Sequence, residues 1–186
     1  MIGFAICGSY CTHADAIKQM RCLTEHGYEL QPIFSENVCI TDTRFGSAKE
    51  LLTTAENICQ RKVIRSIVEA EPLGPKRPMD ALIICPCTGN TLAKMANGIT
   101  DTTVTMAAKA HLRSNRPLVI ALASNDALSA NLKNIATMLS RKCVFFVPMR
   151  QDDPQKKPHS LVADFENVLP TLEAAMSGKQ YQRLFL

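Results

Sequence analysis

The chain alternates between short, continuous apolar runs and longer segments in which apolar residues recur every three or four positions. The runs are rich in large aliphatic residues and predict strands at 2–7, 28–34, 81–85, 117–122 and 143–147. The longer segments predict helices at 12–27, 47–69 (interrupted), 90–97, 102–113, 128–140 and 160–177. Continuous apolar strands between helices indicate parallel pairing with both sheet faces covered. We therefore expect a doubly wound α/β fold, a three-layer sandwich around a parallel sheet.

The ends of the first helix carry recognisable signals. Thr12 stands where an N-cap is expected, and Asp15 follows three residues later, which predicts a capping box. Gly27 comes where the residue after a helix commonly takes a left-handed conformation. This helix should run from Thr12 to Gly27.

Length and composition predict one domain over residues 1–186, with a polar loop at 150–159 before the final helix. A single domain of 186 residues buries roughly two thirds of its unfolded surface. The composition is 46% hydrophobic and 20% charged, which is typical of a globular protein. The sequence shows no internal repeat.

The net charge and the lengths of the apolar runs indicate which classes of partner the chain would bind. The net charge is +4 and the basic residues are scattered, which does not favour nucleic-acid binding. No apolar stretch approaches the roughly 18 residues of a membrane span. The N-terminal segment lacks a basic leader and a small-residue cleavage site. We expect a cytoplasmic protein that binds neither membrane nor nucleic acid.

Eight cysteines raise the question of a metal site or of disulfides. They do not form the paired spacing of a zinc site, and the four histidines show no ligand spacing. Cys85 and Cys87 are two residues apart on a predicted strand, so we expect both on one face of the sheet. We predict buried, reduced thiols and no metal.

Small polar residues follow four of the predicted strands. Ligands of doubly wound sheets bind beyond the carboxyl ends of the strands, near the point where the strand order reverses. Hydroxyl groups and helix N-terminal N–H groups at such an edge are suited to a phosphate. The candidate cofactor-binding residues at these exits are Gly8, Ser9, Ser35, Thr88, Gly89, Asn90, Thr91, Ser124 and Asn125.

The first strand exit also indicates which kind of phosphate would bind. Dinucleotide sites use G-x-G-x-x-G, but here Gly8 is followed by Ser9 and no further glycine at that spacing. A P-loop lysine motif is absent as well. A monophosphate held by hydroxyls fits better, and flavin mononucleotide (FMN) is a cofactor of that kind. The alternative is that Ser and Asn act only as helix N-caps.

These exits resemble the homo-oligomeric flavin-containing cysteine decarboxylases, a superfamily of flavodoxin-like flavoproteins. The resemblance covers roughly residues 1–150. It implies an FMN site, a homo-oligomer (a trimer, or trimers assembled into a dodecamer) and a flavin near the boundary between two copies of the chain. It is carried by Gly8-Ser9, Pro86-x-Thr88-x-Asn90-Thr91-x-Ala93-Lys94, Ala96-Asn97-Gly98, Asp101 and Asn125.

Within that superfamily, longer segments resemble the B subunits of dipicolinate synthase over nearly the whole chain. They are DTRFG at 42–46, EAEPLGPK at 69–76, TGNT at 88–91, MAAKAHLRSNRP at 106–117, NDAL at 125–128 and QDDPQKKP at 151–158. This resemblance implies oxidation of dihydrodipicolinate to dipicolinate in the mother cell of a sporulating bacterium. It also implies a partner, the A subunit, which carries NAD(P).

The sequence departs from the superfamily at two motifs. Pro72 stands where the decarboxylases carry their catalytic histidine. Of the Pro-x-Met-Asn-x-x-Met motif only the asparagine remains, as Asn125, with Ser124 and Leu128 at the methionine positions. A decarboxylase and a flavin prenyltransferase remain as alternatives, and no catalytic residue is assigned. The chain could be the flavin-binding or substrate-shaping part of an oxidoreductase, or a catalytically silent partner.

Basic residues in predicted loops could contact a dicarboxylate substrate. Arginine suits this role because its planar fork can bind both carboxylate oxygens. We predict Arg44, together with Asn90, as substrate-binding residues. The loop 151–158 carries both signs of charge beside prolines and is a candidate docking surface for the partner. The other candidate cations are Lys76, Arg77 and Arg150.

Overall fold

A computed structural model describes residues 1–74, 76 and 78–186. Its strands are β1 Ile2–Ile6, β2 Leu30–Phe34, β3 Ala81–Cys87, β4 Leu118–Ser124, β5 Val144–Phe146, β6 Met149–Arg150 and β7 Leu161–Ala163. Its α-helices are α1 His13–Glu25, α2 Glu36–Ile40, α3 Ala48–Cys59, α4 Ile67–Ala70, α5 Gly89–Ala96, α6 Thr103–Leu112, α7 Leu132–Leu139 and α8 Val168–Met176. None of these helices is long and apolar enough to cross a membrane.

The central sheet has the strand order β2-β1-β3-β4, with β5 paired to β4, and all of these pairs are parallel. The order reverses between β1 and β3, which is the position of ligand crevices in such sheets. One face packs against α1, α3 and α8, through buried residues such as Met20, Ala55 and Leu172. The other face packs against α5, α6 and α7, through residues such as Leu92 and Ile135. The expected three-layer α/β sandwich is confirmed.

The C-terminal region differs from the expected helix at 160–177. Residues 161–163 form β7, which pairs antiparallel with both β4 and β6, and the helix begins only at Val168. Leu161 and Ala163 are buried whereas Val162 is half-buried. A three-residue strand is too short for this alternation to stand out from a helical pattern. The sheet is therefore mixed, with an antiparallel addition at one edge.

Two other helices are shorter than expected. The interrupted helix at 47–69 is divided into α3 and α4 by a backbone bridge to β2, in which Ile64 N–H donates to Pro32 and Phe34 N–H donates to Ile64. The helix expected at 128–140 begins at Leu132, because a turn after β4 occupies the preceding residues. The interruption predicted within 47–69 is confirmed.

The capping box predicted for α1 is wrong. A 3₁₀ turn at Tyr10–Thr12 precedes the helix, and the Thr12 hydroxyl donates to the carbonyl of Ser9 at 2.9 Å. Thr12 makes no side-chain cap bond to the helix. The predicted end is confirmed, since Gly27 has a φ of +84°.

Cys85 and Cys87 lie on opposite faces of the sheet, not on one face as predicted. Cys85 packs with the α1 side and Cys87 with the α5 side. The pairing of β3 with β4 shifts register between Ile84 and Cys87, which reverses the facing of the residues beyond the shift. All eight cysteines are free thiols, but the predicted burial is wrong for four of them, since only Cys7, Cys59, Cys85 and Cys87 are buried. Among the described residues, no group of three or more His, Cys, Asp or Glu side chains could hold a metal ion.

Candidate functional site

The exits of β2, β1, β3 and β4 lie side by side, because these strands are parallel neighbours. Backbone and side-chain contacts tie the exits together. Ser35 N–H donates to the Ile6 carbonyl at 3.0 Å. The Ser9 hydroxyl passes the end of β3 and donates to the Ala123 carbonyl at 2.8 Å. The predicted site residues on these loops are thus brought to one edge of the sheet.

The turn after β1 approaches β3 closely. A Cβ atom placed on Gly8 would lie 3.3 Å from the Thr88 methyl group, so a larger side chain would have to displace its neighbour. Ser9 has φ 62° and ψ 51°, a left-handed conformation that is uncommon for residues other than glycine. In the described part of the chain, the backbone N–H groups of Gly8 and Ser9 meet no acceptor.

The turn after β3 starts helix α5. Thr88 is the N-cap, and its hydroxyl accepts from the Thr91 N–H at 3.1 Å. The same hydroxyl donates to Thr91 Oγ1 at 3.0 Å, and Thr91 donates to the buried Cys7 sulfur at 3.3 Å. Burial raises the pKa of the Cys7 thiol to about 11, so it stays protonated at neutral pH. The first N–H groups of α5, on Gly89 and Asn90, have no acceptor among the described residues.

The turn after β4 contains a compact polar network. Ser124 donates its hydroxyl proton to Asp126, whose carboxylate also accepts from the Asn131 amide at 3.0 and 2.9 Å. Asn134 in turn donates to Asn131 at 2.8 Å. The network packs against Gly89, where an added Cβ atom would overlap the Ser124 oxygen. Sequence reasoning missed this network because its members are spread over eleven positions of a turn and helix start.

The hydrogen bond from Ser124, with that from Asn131, holds the pKa of Asp126 below its usual range. Asp126 is therefore ionised at neutral pH. The neighbouring Asn125 is exposed to solvent.

The turn after β2 holds a second carboxylate. Ser35 is the N-cap residue of α2, and its hydroxyl makes no side-chain cap bond. Glu36 accepts from both the backbone N–H and the hydroxyl of Thr103, at 2.8 and 2.7 Å. Thr103 is the first residue of α6, so the positive end of that helix offsets the charge of Glu36.

These contacts change the expected donors for an anion. The hydroxyl protons of Ser9, Thr88, Thr91 and Ser124 already point at protein acceptors. Among the predicted site residues, the groups that remain are the Ser35 hydroxyl, the exposed amides of Asn90 and Asn125, and the backbone N–H groups at the exits of β1 and β3. The geometry therefore favours backbone N–H groups over the hydroxyls inferred from the sequence.

A cavity of about 260 Å³ lies beside the β1 exit, between the start of α1 and the loop before α3. Its lining includes Tyr10, His13 and Phe45, but none of the predicted cofactor-binding residues. Arg44 is exposed, and its guanidinium lies 4.8 Å from the centre of the Phe45 ring. Arg44 therefore stands in the loop that borders this cavity, whereas Asn90 stands at the β3 exit.

His13 is the buried histidine of this cavity. Its Nε2 lies 2.8 Å from the Cys7 carbonyl, which can only accept, so Nε2 carries a proton. Burial lowers the pKa of His13, and the ring is neutral at pH 7.

The other predicted cations are exposed or lie outside the described residues. Lys76 and Arg150 are exposed. Arg150 borders a different cavity, beside β7. Arg77 lies outside the described residues.

The predicted docking loop at 151–158 satisfies many of its own polar groups. Lys157 pairs with Asp152 at 2.6 Å. Lys156 N–H donates to Asp153 at 3.0 Å, and the Gln151 amide donates to the Pro158 carbonyl at 2.9 Å. The loop therefore has a defined shape of its own.

Comparison with known proteins identifies the family. A model of the family described as Flavoprotein matches residues 1–170. The dipicolinate synthase B subunit of Bacillus subtilis strain 168 is 44% identical over 185 residues, covering 100% of this chain and 92% of that protein. The chain belongs to the flavoprotein family, among its dipicolinate synthase B subunits.

Solved structures of flavoproteins show the same fold. The crystal structure of the dipicolinate synthase B subunit from Bacillus halodurans is 42% identical, with a TM-score of 0.92, and the match covers 100% of this chain and 95% of that one. A dodecameric FMN-dependent UbiX-like decarboxylase from Escherichia coli O157:H7 has a TM-score of 0.63 at 23% identity, covering 80% of each chain. At that identity the second match indicates the fold alone.

Proposed function

We propose that this chain binds FMN at the β1 and β3 exits, with the phosphate on backbone N–H groups. The observation that carries the proposal is the set of N–H groups on Gly8, Ser9, Gly89 and Asn90, which meet no acceptor in the described residues and follow strands on either side of the topological switch point. Ser35 adds a hydroxyl at the β2 exit. These groups fit a monophosphate, and the absence of a glycine-rich dinucleotide motif excludes a close pyrophosphate contact of that type.

The electrostatics of the edge are compatible with this assignment. Glu36, the carboxylate next to Ser35, is turned towards the N-terminus of α6. Asp126 accepts hydrogen bonds from Ser124 and Asn131. Each carboxylate is thus directed at donors of its own, which leaves the backbone N–H groups of Gly8, Ser9, Gly89 and Asn90 open for a phosphate.

The proposed activity is that of a dipicolinate synthase B subunit. The chain would support NAD(P)-dependent oxidation of dihydrodipicolinate to dipicolinate, with NAD(P) bound to an A subunit. Oxidation of a dihydropyridine-type ring requires an electron acceptor, and the chain lacks a dinucleotide motif of its own. A bound flavin would supply a two-electron acceptor next to the strand exits. The chain's own contribution is to bind and orient the cofactor.

Arg44 is our candidate for the substrate carboxylates. It is exposed, and its guanidinium is oriented by the Phe45 ring at the border of the cavity beside β1. An arginine held on an aromatic ring keeps its N–H groups available for a carboxylate. Asn90, exposed at the start of α5, could offer a second contact.

We further propose a cytoplasmic homo-oligomer that works in the mother cell of a sporulating bacterium. Exposed apolar side chains support an assembly of chains, because Ile40 and Val68 are 78% and 82% exposed in a single chain. The Escherichia coli structure named above is a dodecamer, and a trimer is the alternative for this chain.

Reconstitution tests the proposed function. Purified chain and a purified A subunit are mixed with dihydrodipicolinate and NADP or NAD, and dipicolinate is followed by its ultraviolet absorbance. We expect turnover to require both subunits and the purified chain to take up FMN, seen as flavin absorbance after gel filtration. Full turnover by the A subunit alone would contradict the role of this chain. Turnover by this chain alone with added nicotinamide would contradict the assignment of NAD(P) to the partner.

The second candidate is a flavin-dependent decarboxylase. In its favour, the chain shares its fold with an FMN-dependent UbiX-like decarboxylase, a match that at 23% identity indicates the fold alone. Against it stands Pro72 at the position of the superfamily's catalytic histidine. Release of carbon dioxide from peptidyl-cysteine or phosphopantothenoylcysteine, measured with the FMN-loaded chain, would favour this candidate over the first.

A further inference from the structure

The carboxylate of Asp126 fixes the direction of the Ser124 hydroxyl. Asp126 accepts the hydroxyl proton of Ser124, and its two oxygens also accept from the side-chain nitrogen of Asn131. An ionised carboxylate has no proton to donate, so the proton of Ser124 must point at it. Only the lone pairs of the Ser124 oxygen remain for a ligand.

The side-chain amide of Asn134 fixes the orientation of the Asn131 amide. The oxygen of Asn131 accepts from the side-chain nitrogen of Asn134 at 2.8 Å, and both residues are buried. Turning Asn131 over would place two N–H₂ groups against each other and its oxygen against a carboxylate. The orientation of the Ser124 hydroxyl is therefore determined by three successive partners.

Ser124 differs in this respect from the other hydroxyls of the edge. The Ser9 proton points at a neutral carbonyl, and that of Thr88 at a neutral hydroxyl. A hydrogen bond to a charged group is worth roughly twice a neutral one. Ligand binding can therefore redirect Ser9 or Thr88 more easily than Ser124.

Ser124 nevertheless lies beside the groups that would hold the phosphate. Its oxygen packs against Gly89 at the start of α5, and the adjacent Ala123 carbonyl accepts the hydroxyl of Ser9. A phosphate near neutral pH presents mainly acceptor oxygens. The Ser124 oxygen offers only lone pairs and lies beside a carboxylate, so it repels them. An uncharged ligand group with an N–H or O–H is attracted by the same arrangement.

We propose that Ser124 accepts a hydrogen bond from an N–H or O–H in the uncharged part of the flavin, and that Asp126 is the positioning residue that sets this polarity. This inference rests on the proposed flavin site. It assigns Ser124 to the ring or sugar-alcohol side of the cofactor and removes it from the phosphate ligands. The oxidised flavin ring has one N–H, at its imide nitrogen, and the ribityl chain supplies O–H groups.

Binding constants of separate cofactor parts test the inference. Inorganic phosphate is titrated by calorimetry, and riboflavin and FMN by quenching of flavin fluorescence, into wild type and Ser124→Ala. We expect an unchanged phosphate affinity and a loss of about fivefold for both flavins, the size of one neutral hydrogen bond. A comparison of riboflavin with N3-methylriboflavin then identifies the donor: a loss on methylation assigns it to the imide N–H, and equal binding assigns it to the ribityl chain.

The variant Asp126→Asn tests the positioning role. Its amide oxygen is expected to turn to Asn131 and its N–H₂ to Ser124, so that the serine proton points outward. Riboflavin binding should then weaken, phosphate binding should not, and the riboflavin effect should be absent in the Ser124→Ala background, as a double-mutant cycle measures. Thermal unfolding of each variant confirms that it is folded. If Asp126 only supported the fold, Asp126→Asn would lower the affinities for all ligands. The loss would then remain in the Ser124→Ala background.

Three results would overturn the inference. A loss of phosphate affinity in Ser124→Ala would show that the serine donates to the phosphate. Unchanged affinities for all three ligands would show that Ser124 does not contact the ligand. Failure of the wild-type chain to bind either flavin would overturn the proposed function itself, and with it this inference.

Discussion

The Ser9 hydroxyl donates a hydrogen bond to the Ala123 carbonyl at 2.8 Å, although β3 lies between β1, which precedes Ser9, and β4, which contains Ala123. This contact draws the exits of β1 and β4 together over the end of β3. It does so with Ser9 in a left-handed conformation, which costs roughly 1–2 kcal/mol for a residue with a Cβ atom. The edge that we assign to FMN is thus held in shape by specific side-chain contacts.

Two replacements of Ser9 separate the contribution of its hydrogen bond from the cost of its left-handed backbone. Ser9→Ala keeps the left-handed strain and loses the bond to Ala123, so we expect a loss of about 1 kcal/mol in the free energy of unfolding. Ser9→Gly loses the same bond but relieves the strain, so it should be closer to wild type. Urea unfolding of both variants measures the difference. An alanine variant at least as stable as the glycine variant would contradict this account.

Gly89 is required for close packing at the start of α5. A Cβ atom there would overlap the Ser124 oxygen and lie 2.6 Å from the Asn131 nitrogen. We expect Gly89→Ala to lower the free energy of unfolding by about 1–3 kcal/mol, as overpacking does. The matched control is Gly8→Ala, whose new atom would meet the Thr88 methyl group at 3.3 Å. Equal unfolding free energies of the two variants would count against the packing of the network on Gly89.

The contribution of Asp126 to stability should disappear in acid. Its pKa is lowered in the folded state by the hydrogen bonds from Ser124 and Asn131. A carboxyl of this kind contributes stability that is fully present above its unfolded pKa, about 4, and that is lost as the pH falls through the folded value. We expect the difference in unfolding free energy between wild type and Asp126→Asn to be constant from about pH 7 to 5 and to shrink below about pH 4.

Asp15→Asn is the control for the loss of a carboxylate. Asp15 is exposed in the first turn of α1. At pH 7, Asp15→Asn should lower the free energy of unfolding less than Asp126→Asn does. If the difference in unfolding free energy between wild type and Asp126→Asn stayed unchanged down to about pH 3, the carboxylate would not be stabilised by the network.

The cysteines should differ in their reaction with iodoacetamide. Burial raises the pKa values of the Cys7, Cys85 and Cys87 thiols, whereas Cys11 is exposed. Since the thiolate is the nucleophile, Cys11 should be alkylated in the folded protein at pH 8 and these three should not. Peptide mass spectrometry gives the order in which the cysteines are alkylated. Unfolding in urea should make all four of these thiols reactive. Early alkylation of Cys85 in the folded protein would contradict its burial.

The sequence was sufficient for the central sheet because its strands are continuous apolar runs with polar turns between them. It was insufficient where a local contact overrides periodicity. The register shift after Ile84 places Cys85 and Cys87 on opposite faces, and the pairing of β7 with Ala123 turns an expected helical segment into a strand. Neither feature leaves a repeating pattern in the residues.

At the candidate site, the sequence indicated the loops but not the direction of their protons. Ser124 is predicted as a cofactor ligand from its position at a strand exit, whereas the sequence assigns no role to Asp126. The partner of a hydroxyl depends on tertiary contacts, such as that between Asp126 and Asn131, so residue type and spacing alone do not determine whether it can donate.

The most direct test of the account is a crystal structure of the chain with FMN bound. We predict density for the phosphate within hydrogen-bond distance of the backbone nitrogens of Gly8, Ser9, Gly89 and Asn90, with Ser35 adjacent and Ser124 facing the uncharged part of the flavin. Density for FMN in the cavity lined by Tyr10 and Phe45, with the strand exits intact and empty at saturating FMN, would contradict it.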